Sequence, residues 1–183
     1  FPDHLIATMA DHPEICAHTH LPLQSGSSTT LERMRRDYTA EEFLSVVKRL
    51  RDRIPNIALT TDVITGFCGE TDEEFQATYD MMSEVKFDAA FMFKYSPRSG
   101  TAAYKRLEDN VPEHVKGERL TAIIDLQKDI SMLNNEAYIG RTVNVLVEGQ
   151  SKKDPEKLYG KTDTFKTTVF PDHPGISAHT IVS

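Results

Sequence analysis

Two periods of apolar spacing alternate along the chain, and their alternation lays out the architecture. Phe43, Val47, Leu50 and Ile54 recur at helical spacing behind a capping-box signature, Thr39 with Glu42 three residues on, and Pro55 closes the run. Ile57 to Ile64 is β-branched and threonine-rich, as a buried strand should be, with the polar Asp62 near its C-terminal end. Gly66 and Gly69 then break it. A second capping box, Thr71 with Glu74, opens a helix whose Phe75, Tyr79, Met82 and Val85 share one face. Ala89 to Lys94 follows as another strand. Asn110 with Pro112 starts a long helix running to about Tyr138, with Leu120, Ile123, Ile124, Ile130 and Leu133 as its apolar stripe and Gly140 as its stop. Such alternation of helix and strand predicts an α/β fold of parallel βα units.

Each strand runs into a polar loop. His20-Leu-Pro-Leu-Gln-Ser-Gly-Ser-Ser28 offers an amide, hydroxyls and accessible backbone N–H groups. Thr60-Thr-Asp-Val-Ile-Thr-Gly-Phe-Cys-Gly-Glu-Thr71 repeats the design, and Tyr95-Ser-Pro-Arg-Ser-Gly-Thr101 adds a guanidinium among turn residues. Parallel strands point their C-terminal ends one way, so these loops should gather at one edge and share one ligand. Beyond Gly140 the pattern changes. Thr142-Val-Asn-Val-Leu-Val-Glu148 is a strand, and the Lys-, Gly- and Thr-rich remainder reads as short strands and loops of a small β-domain. The expected division is therefore residues 1–140 and residues 141–183.

Composition narrows the class. At 39% hydrophobic and 27% charged residues, the chain has the make-up of a globular protein. No apolar run approaches the roughly 20 residues that cross a bilayer, and Phe1-Pro-Asp-His lacks the features of a secretory signal, so a cytoplasmic protein without membrane contact is expected. The chain also begins in mid-pattern without a methionine, which reads as a fragment that partners an upstream portion of the same protein. Its two cysteines, Cys16 and Cys68, are too far apart for a local metal pair and too few for a disulfide framework. His18 and His20 share a strand face but lack a third ligand, so a packed or hydrogen-bonded role is expected and no metal site. The first 140 residues carry 15 basic against 23 acidic side chains and the remainder 6 against 5, so any polyanion should meet the second segment.

In order and spacing, these motifs resemble the radical S-adenosylmethionine methylthiotransferases, specifically the MiaB-type family that modifies tRNA. The resemblance rests on His20 to Ser27, Met34-Arg-Arg-Asp-Tyr-Thr39, Thr60 to Thr71, Phe91-Met-Phe-Lys-Tyr-Ser-Pro-Arg-Ser-Gly-Thr101 and Val145-Leu-Val-Glu-Gly-Gln-Ser-Lys-Lys153. It implies the later half of a radical SAM barrel, a partial TIM-like barrel, followed by part of a small all-β TRAM domain that binds RNA. It also implies S-adenosylmethionine and two iron–sulfur clusters in the full-length protein, with the cluster cysteines absent from this chain, so that this piece alone should be inactive. The implied reaction is radical abstraction of hydrogen from carbon 2 of a prenylated adenine in the tRNA anticodon stem-loop, followed by insertion of sulfur and methyl. Relatives acting on a ribosomal protein usually carry histidine where this chain has Ser25. Those acting on threonylcarbamoyl-adenosine share Gln24-Ser-Gly and rank second.

The loops supply candidates for these tasks. Gln24 and Ser25 are expected to contact the methionyl carboxylate or the ribose. Arg36 either pairs with that carboxylate or is a solvated helix-surface arginine. Asp62, within a strand of buried types, needs ligand hydroxyls or a backbone N–H to satisfy it. Gly66 and Phe67 would let the adenine approach the backbone, with Phe67 as ordinary core the alternative. Tyr95 is placed at the cofactor, and Lys94 and Arg98 at the substrate base or its phosphates. Lys152, Lys153, Lys157, Lys161 and Lys166 are the candidate RNA phosphate contacts, although interleaved Asp154, Glu156 and Asp163 would also suit a plain solvated surface. Two other readings remain open at this point. One is a stand-alone RNA-binding module with the barrel half as scaffold; the other is a different α/β-barrel enzyme without iron–sulfur chemistry.

Overall fold

A computed structural model describes residues 1–183 as two sheets joined by a long helix. The first sheet holds three parallel strands in the order β1 (His18–His20), β2 (Ala58–Thr65) and β3 (Ala89–Lys94). Between them run α2 (Ser28–Arg33), α3 (Ala40–Arg53) and α4 (Asp72–Val85), with α1 (Asp3–Asp11) ahead and α5 (Ala102–Arg106) and α6 (Glu113–Glu136) behind. The short α1, α2 and α5 carry too few apolar repeats to stand out in the sequence.

Both capping boxes form. Thr39 accepts from the Glu42 N–H while the Glu42 carboxylate accepts from the Thr39 N–H, and Thr71 and Glu74 repeat the arrangement. One face of β2 carries Leu59, Thr61, Val63 and Thr65, all fully buried. Beneath this face Phe43, Val47, Leu50, Met82, Val85, Phe87 and Ile123 complete one core. The opposite face bears Thr60, Asp62 and Ile64, registered beside Ala89, Phe91 and Phe93, and it stands open, with Phe91 58% and Phe93 55% exposed.

Helix α6 differs from its expected stripe in a physically telling way. Ile123 and Ile130 are buried as anticipated, but Ile124 and Leu133 are exposed, and the buried line runs through Lys116, Arg119, Ile123, Gln127 and Ile130. Its polar members are paired: Lys116 with Asp109, Arg119 with Glu70 and Asp72, and Gln127 with the Phe87 carbonyl at 2.8 Å. Asn110 does not cap this helix. Its Oδ1 accepts from the Gly69 N–H at 2.8 Å and ties the loop after β2 to the approach of α6.

The second sheet is antiparallel, in the order β6 (Thr167–Pro171), β5 (Lys157–Thr162), β4 (Val145–Gln150) and β7 (Ile181–Val182). Gly160 is required where β5 pairs with β4, since a Cβ there would lie 2.2 Å from the Leu146 carbonyl oxygen. The turn between β5 and β6 reaches back to the first sheet. Lys166 bonds Asp88 and Asn135, each at 3.2 Å, Tyr138 bonds Thr164 at 3.1 Å, and Phe165 stacks on His18 with ring centroids 4.6 Å apart.

Candidate functional site at the C-terminal edge of the parallel sheet

The three strand-exit loops converge on a cavity of about 620 Å³. Its volume suits a small-molecule ligand. Ile64, Phe67, Phe93 and Leu107 supply apolar wall, and Gln24, Asp62, Arg33, Arg36, Lys94, Tyr95 and Arg98 supply polar groups.

The first loop divides its labour residue by residue. Gln24 continues β1 as an isolated bridge to Val63, its N–H donating to the Asp62 carbonyl and its carbonyl accepting from the Ile64 N–H, at 2.8 and 2.9 Å. It holds a left-handed backbone at φ 64° and lines the cavity. Ser25 points the other way. Its hydroxyl is fully buried and lies 3.2 Å from Thr78 Oγ1. Thr78 donates its own proton to the Glu74 carbonyl, so Ser25 must be the donor of that pair. Gly26 passes so close to α4 that a Cβ would sit 2.4 Å from the Ala77 carbonyl oxygen, and Ser27 caps α2. Of this Gln-Ser-Gly-Ser run, only Gln24 faces the cavity; the other three dock the loop on its neighbours.

Arg36 arrives through the end of α2. Arg35 adopts φ 60°, the Arg36 N–H donates to the Leu31 carbonyl and the Arg35 N–H to Glu32, which together make a Schellman termination with arginine in place of the usual glycine. That turn brings Arg36 to the cavity wall. Arg33, missed from the sequence, lines the same wall but is committed elsewhere. It grips Glu74 with two nitrogens at 2.8 and 2.6 Å and donates to the Cys68 carbonyl. The guanidinium holds the Glu74 carboxyl down to about 2, and Arg33 is in turn raised.

The second loop is shaped from beneath. Gly66, at φ 70°, leaves no room for a side chain because a Cβ would lie 2.3 Å from Lys116 Cγ. Its glycine therefore answers to Lys116 and it does not line the cavity, whereas Phe67 does, edge-on to Tyr95 at 4.9 Å. Burial and the neighbouring Cys68 push the Tyr95 phenol up to about 12, so it stays a neutral hydroxyl. Glu70 accepts from the Gly66 N–H at 2.7 Å and from Arg119 at 2.8 Å, yet burial raises its pKa and leaves Oε1 without a partner. Asp62 reaches the cavity from the open face of β2, with Oδ2 3.3 Å from His20 Nε2. Lys94 pairs with Glu113 while lining the cavity, and Arg98 lines it from the third loop.

The lysines of the second sheet separate in the same manner. Lys152 and Lys153 are exposed in the β4–β5 turn, Lys157 is paired with Asp154 at 2.9 Å, and Lys161 lies over the Phe165 ring at 4.2 Å. Lys166 is spent on the contact between the sheets, its side chain only 16% exposed, so geometry gives it no free face for a phosphate. His18 and His20 hydrogen-bond to Thr60 and Asp62, and no group of three or more metal-ligating side chains occurs.

Two family models match parts of the chain. Residues 1–82 match the radical SAM superfamily and residues 136–177 match the TRAM domain. Proteins named tRNA-2-methylthio-N(6)-dimethylallyladenosine synthase are similar over nearly the whole chain. That of Chlorobium phaeovibrioides is 52% identical over 91% of this chain and 37% of its own length, and that of Moorella thermoacetica 45% identical over 99% and 40%. The Treponema pallidum protein is 46% identical over 91% of this chain and 36% of its own. This chain thus spans about two fifths of the curated relatives it matches. In fold it is similar to coproporphyrinogen III oxidase (HemN) of Escherichia coli, a radical SAM enzyme, with a TM-score of 0.58 at 13% identity, covering 87% of this chain and 42% of that one.

The superfamily implies S-adenosylmethionine and iron–sulfur chemistry, and the residues present fit the two unequally. Cations at Arg36 and Arg98, the Gln24 amide, the Asp62 carboxylate and the Phe67 and Phe93 rings form a donor set suited to a zwitterionic amino acid joined to a nucleoside. The cysteines do not suit a cluster. Cys16 is exposed ahead of β1, at the N-terminal end of the sheet, and Cys68 is buried in the loop after β2, at the opposite end.

Proposed function

The chain belongs to the radical SAM superfamily and carries a TRAM domain, and on that premise we propose that its parent protein is a tRNA methylthiotransferase. The substrate is adenosine already bearing an N6-dimethylallyl group beside the anticodon, and the product carries a methylthio group at carbon 2. What most supports this reading is the similarity to the 2-methylthio-N(6)-dimethylallyladenosine synthases across the cavity loops and the second sheet alike. S-adenosylmethionine, when bound, supplies the radical and the methyl group of that chemistry, and two iron–sulfur clusters would be held by parts of the protein other than these cysteines.

The residues of this chain then have definable tasks. Arg36 would hold the methionyl carboxylate, Gln24 and Asp62 the ribose hydroxyls, and Phe67 with its neutral partner Tyr95 the adenine face. Gly66 acts by leaving space for Lys116 under that wall. Lys94 and Arg98 would meet the tRNA at the mouth of the cavity, with Lys152, Lys153, Lys157 and Lys161 on the TRAM domain adding salt-sensitive phosphate contacts to the anticodon stem-loop. Such a protein works where tRNA is, in the cytoplasm. Deleting the gene and measuring tRNA nucleosides by mass spectrometry tests the reading: methylthio-dimethylallyladenosine should vanish and dimethylallyladenosine accumulate. Unchanged methylthio-adenosine would overturn it.

A further inference from the structure

The open face of the first sheet carries a line of hydrogen bonds that begins at the TRAM domain and ends in the cavity. His18 Nε2 lies 3.0 Å from Thr60 Oγ1, Thr60 Oγ1 lies 3.0 Å from His20 Nδ1, and His20 Nε2 lies 3.3 Å from Asp62 Oδ2. The far end is covered by Phe165, whose ring is nearly parallel to that of His18, 15° between planes. We infer that His18, Thr60 and His20 form a one-directional column that positions the Asp62 carboxylate, and that Phe165 of the TRAM domain closes its outer end.

The direction follows from counting protons. An ionised carboxylate can only accept, so His20 must donate through Nε2. A neutral His20 then has a lone pair at Nδ1 and takes the single hydroxyl proton of Thr60. Thr60 oxygen, its proton committed, accepts from His18 through Nε2–H. With His20 neutral, both histidines are thereby fixed as the Nε2–H tautomer, and reversing any one bond would then set a lone pair against the carboxylate. With Oδ2 held, Asp62 offers Oδ1 to the cavity.

Other features support the arrangement. Burial lowers the pKa of His18 and nearby Lys161 disfavours its cation, against Asp88, which favours it. Asp88 is itself drawn to Lys166. Phe165 holds φ 62°, a left-handed conformation costly for an aromatic residue, with Lys161 above its ring and the following residue, Lys166, anchored to Asp88. Strain of that kind persists only where the surroundings impose it.

This inference rests on the cavity being the S-adenosylmethionine site, and its test separates the two. Nitrogen NMR of the full-length protein labelled with 15N-histidine should report the Nε2–H tautomer for both histidines. Thr60→Val, which keeps shape and removes the hydroxyl, should release His20 from that tautomer and weaken binding of S-adenosylhomocysteine, measured by calorimetry, about three- to tenfold. Thr60→Ser should restore both. Phe165→Ala should disturb the His18 signals and weaken binding about twofold. An Nδ1–H tautomer or an imidazolium at His20, or a Thr60→Val protein with unchanged tautomer and affinity, would overturn the column. Failure of the wild-type protein to bind the nucleoside would instead overturn the assignment of the cavity, leaving the tautomer result to stand on its own.

Discussion

Replacing Glu74 by glutamine tests the electrostatic clamp behind the cavity. Glu74 belongs to the capping box of α4 and also receives Arg33 from α2 through two hydrogen bonds, with Thr29 adding a third donor. A folded carboxyl held at about 2, against 4.5 when unfolded, stabilises the fold at neutral pH by up to roughly 3 kcal/mol. The pair is partly open to water, with Arg33 29% and Glu74 14% exposed, so about 1–2 kcal/mol is the expected working value. Because the folded-state pKa is depressed, the contribution is complete above pH 4.5 and disappears as pH falls toward 2. Urea unfolding of wild type and Glu74→Gln, followed by far-UV circular dichroism from pH 7 to pH 2.5, isolates this effect because other carboxylates titrate in both proteins. The stability gap should be about 1–2 kcal/mol at pH 7 and should narrow steadily below pH 4.5. A gap of constant size across that range would refute the electrostatic account and leave only lost packing.

Three further outcomes follow from the cavity and its supports. Gly66→Ala should lower stability by at least about 1–2 kcal/mol in thermal unfolding, since φ is positive and the buried Lys116 stem cannot move aside freely. Gln24→Ala should weaken S-adenosylhomocysteine binding severalfold with little loss of stability. Ser25→Ala should do the reverse, costing about 1 kcal/mol of stability through the lost Thr78 hydrogen bond while leaving affinity within a factor of two. In filter binding to tRNA, Lys152→Ala with Lys153→Ala should reduce the slope of log affinity against log salt, whereas Lys166→Ala should leave the slope unchanged and loosen the contact between the domains.

The order of elements was legible because it depends on patterns repeated over many residues. Capping boxes at Thr39 and Thr71, the β-branched run before Gly66 and the alternation of helix with strand each constrain the backbone locally, and local constraints agree with the final fold. The loops at the C-terminal edge were legible for the same reason, since parallel strands leave them one place to meet. Helix α6 was misread in detail because its buried face is built from Lys116, Arg119 and Gln127, whose burial is made tolerable by partners up to 49 residues away in sequence. No pattern along the helix announces those partners.

The same limit explains why neighbours in one motif carry different functions. Gln24 and Ser25 are adjacent, polar and similar in what they could bind, yet a left-handed residue at position 24 turns one toward the cavity and the next into α4. The hint at Ser25 was the glycine beside it: a residue that must have no side chain marks a close approach, and here that approach is to Ala77 and Thr78. Once Gly26 is pressed against α4, the Ser25 hydroxyl is buried with it and must find a protein partner. A polar residue next to a close-contact glycine is thus better read as part of the joint than as part of the site, and the opposite outcomes expected for Gln24→Ala and Ser25→Ala put that rule to a direct test.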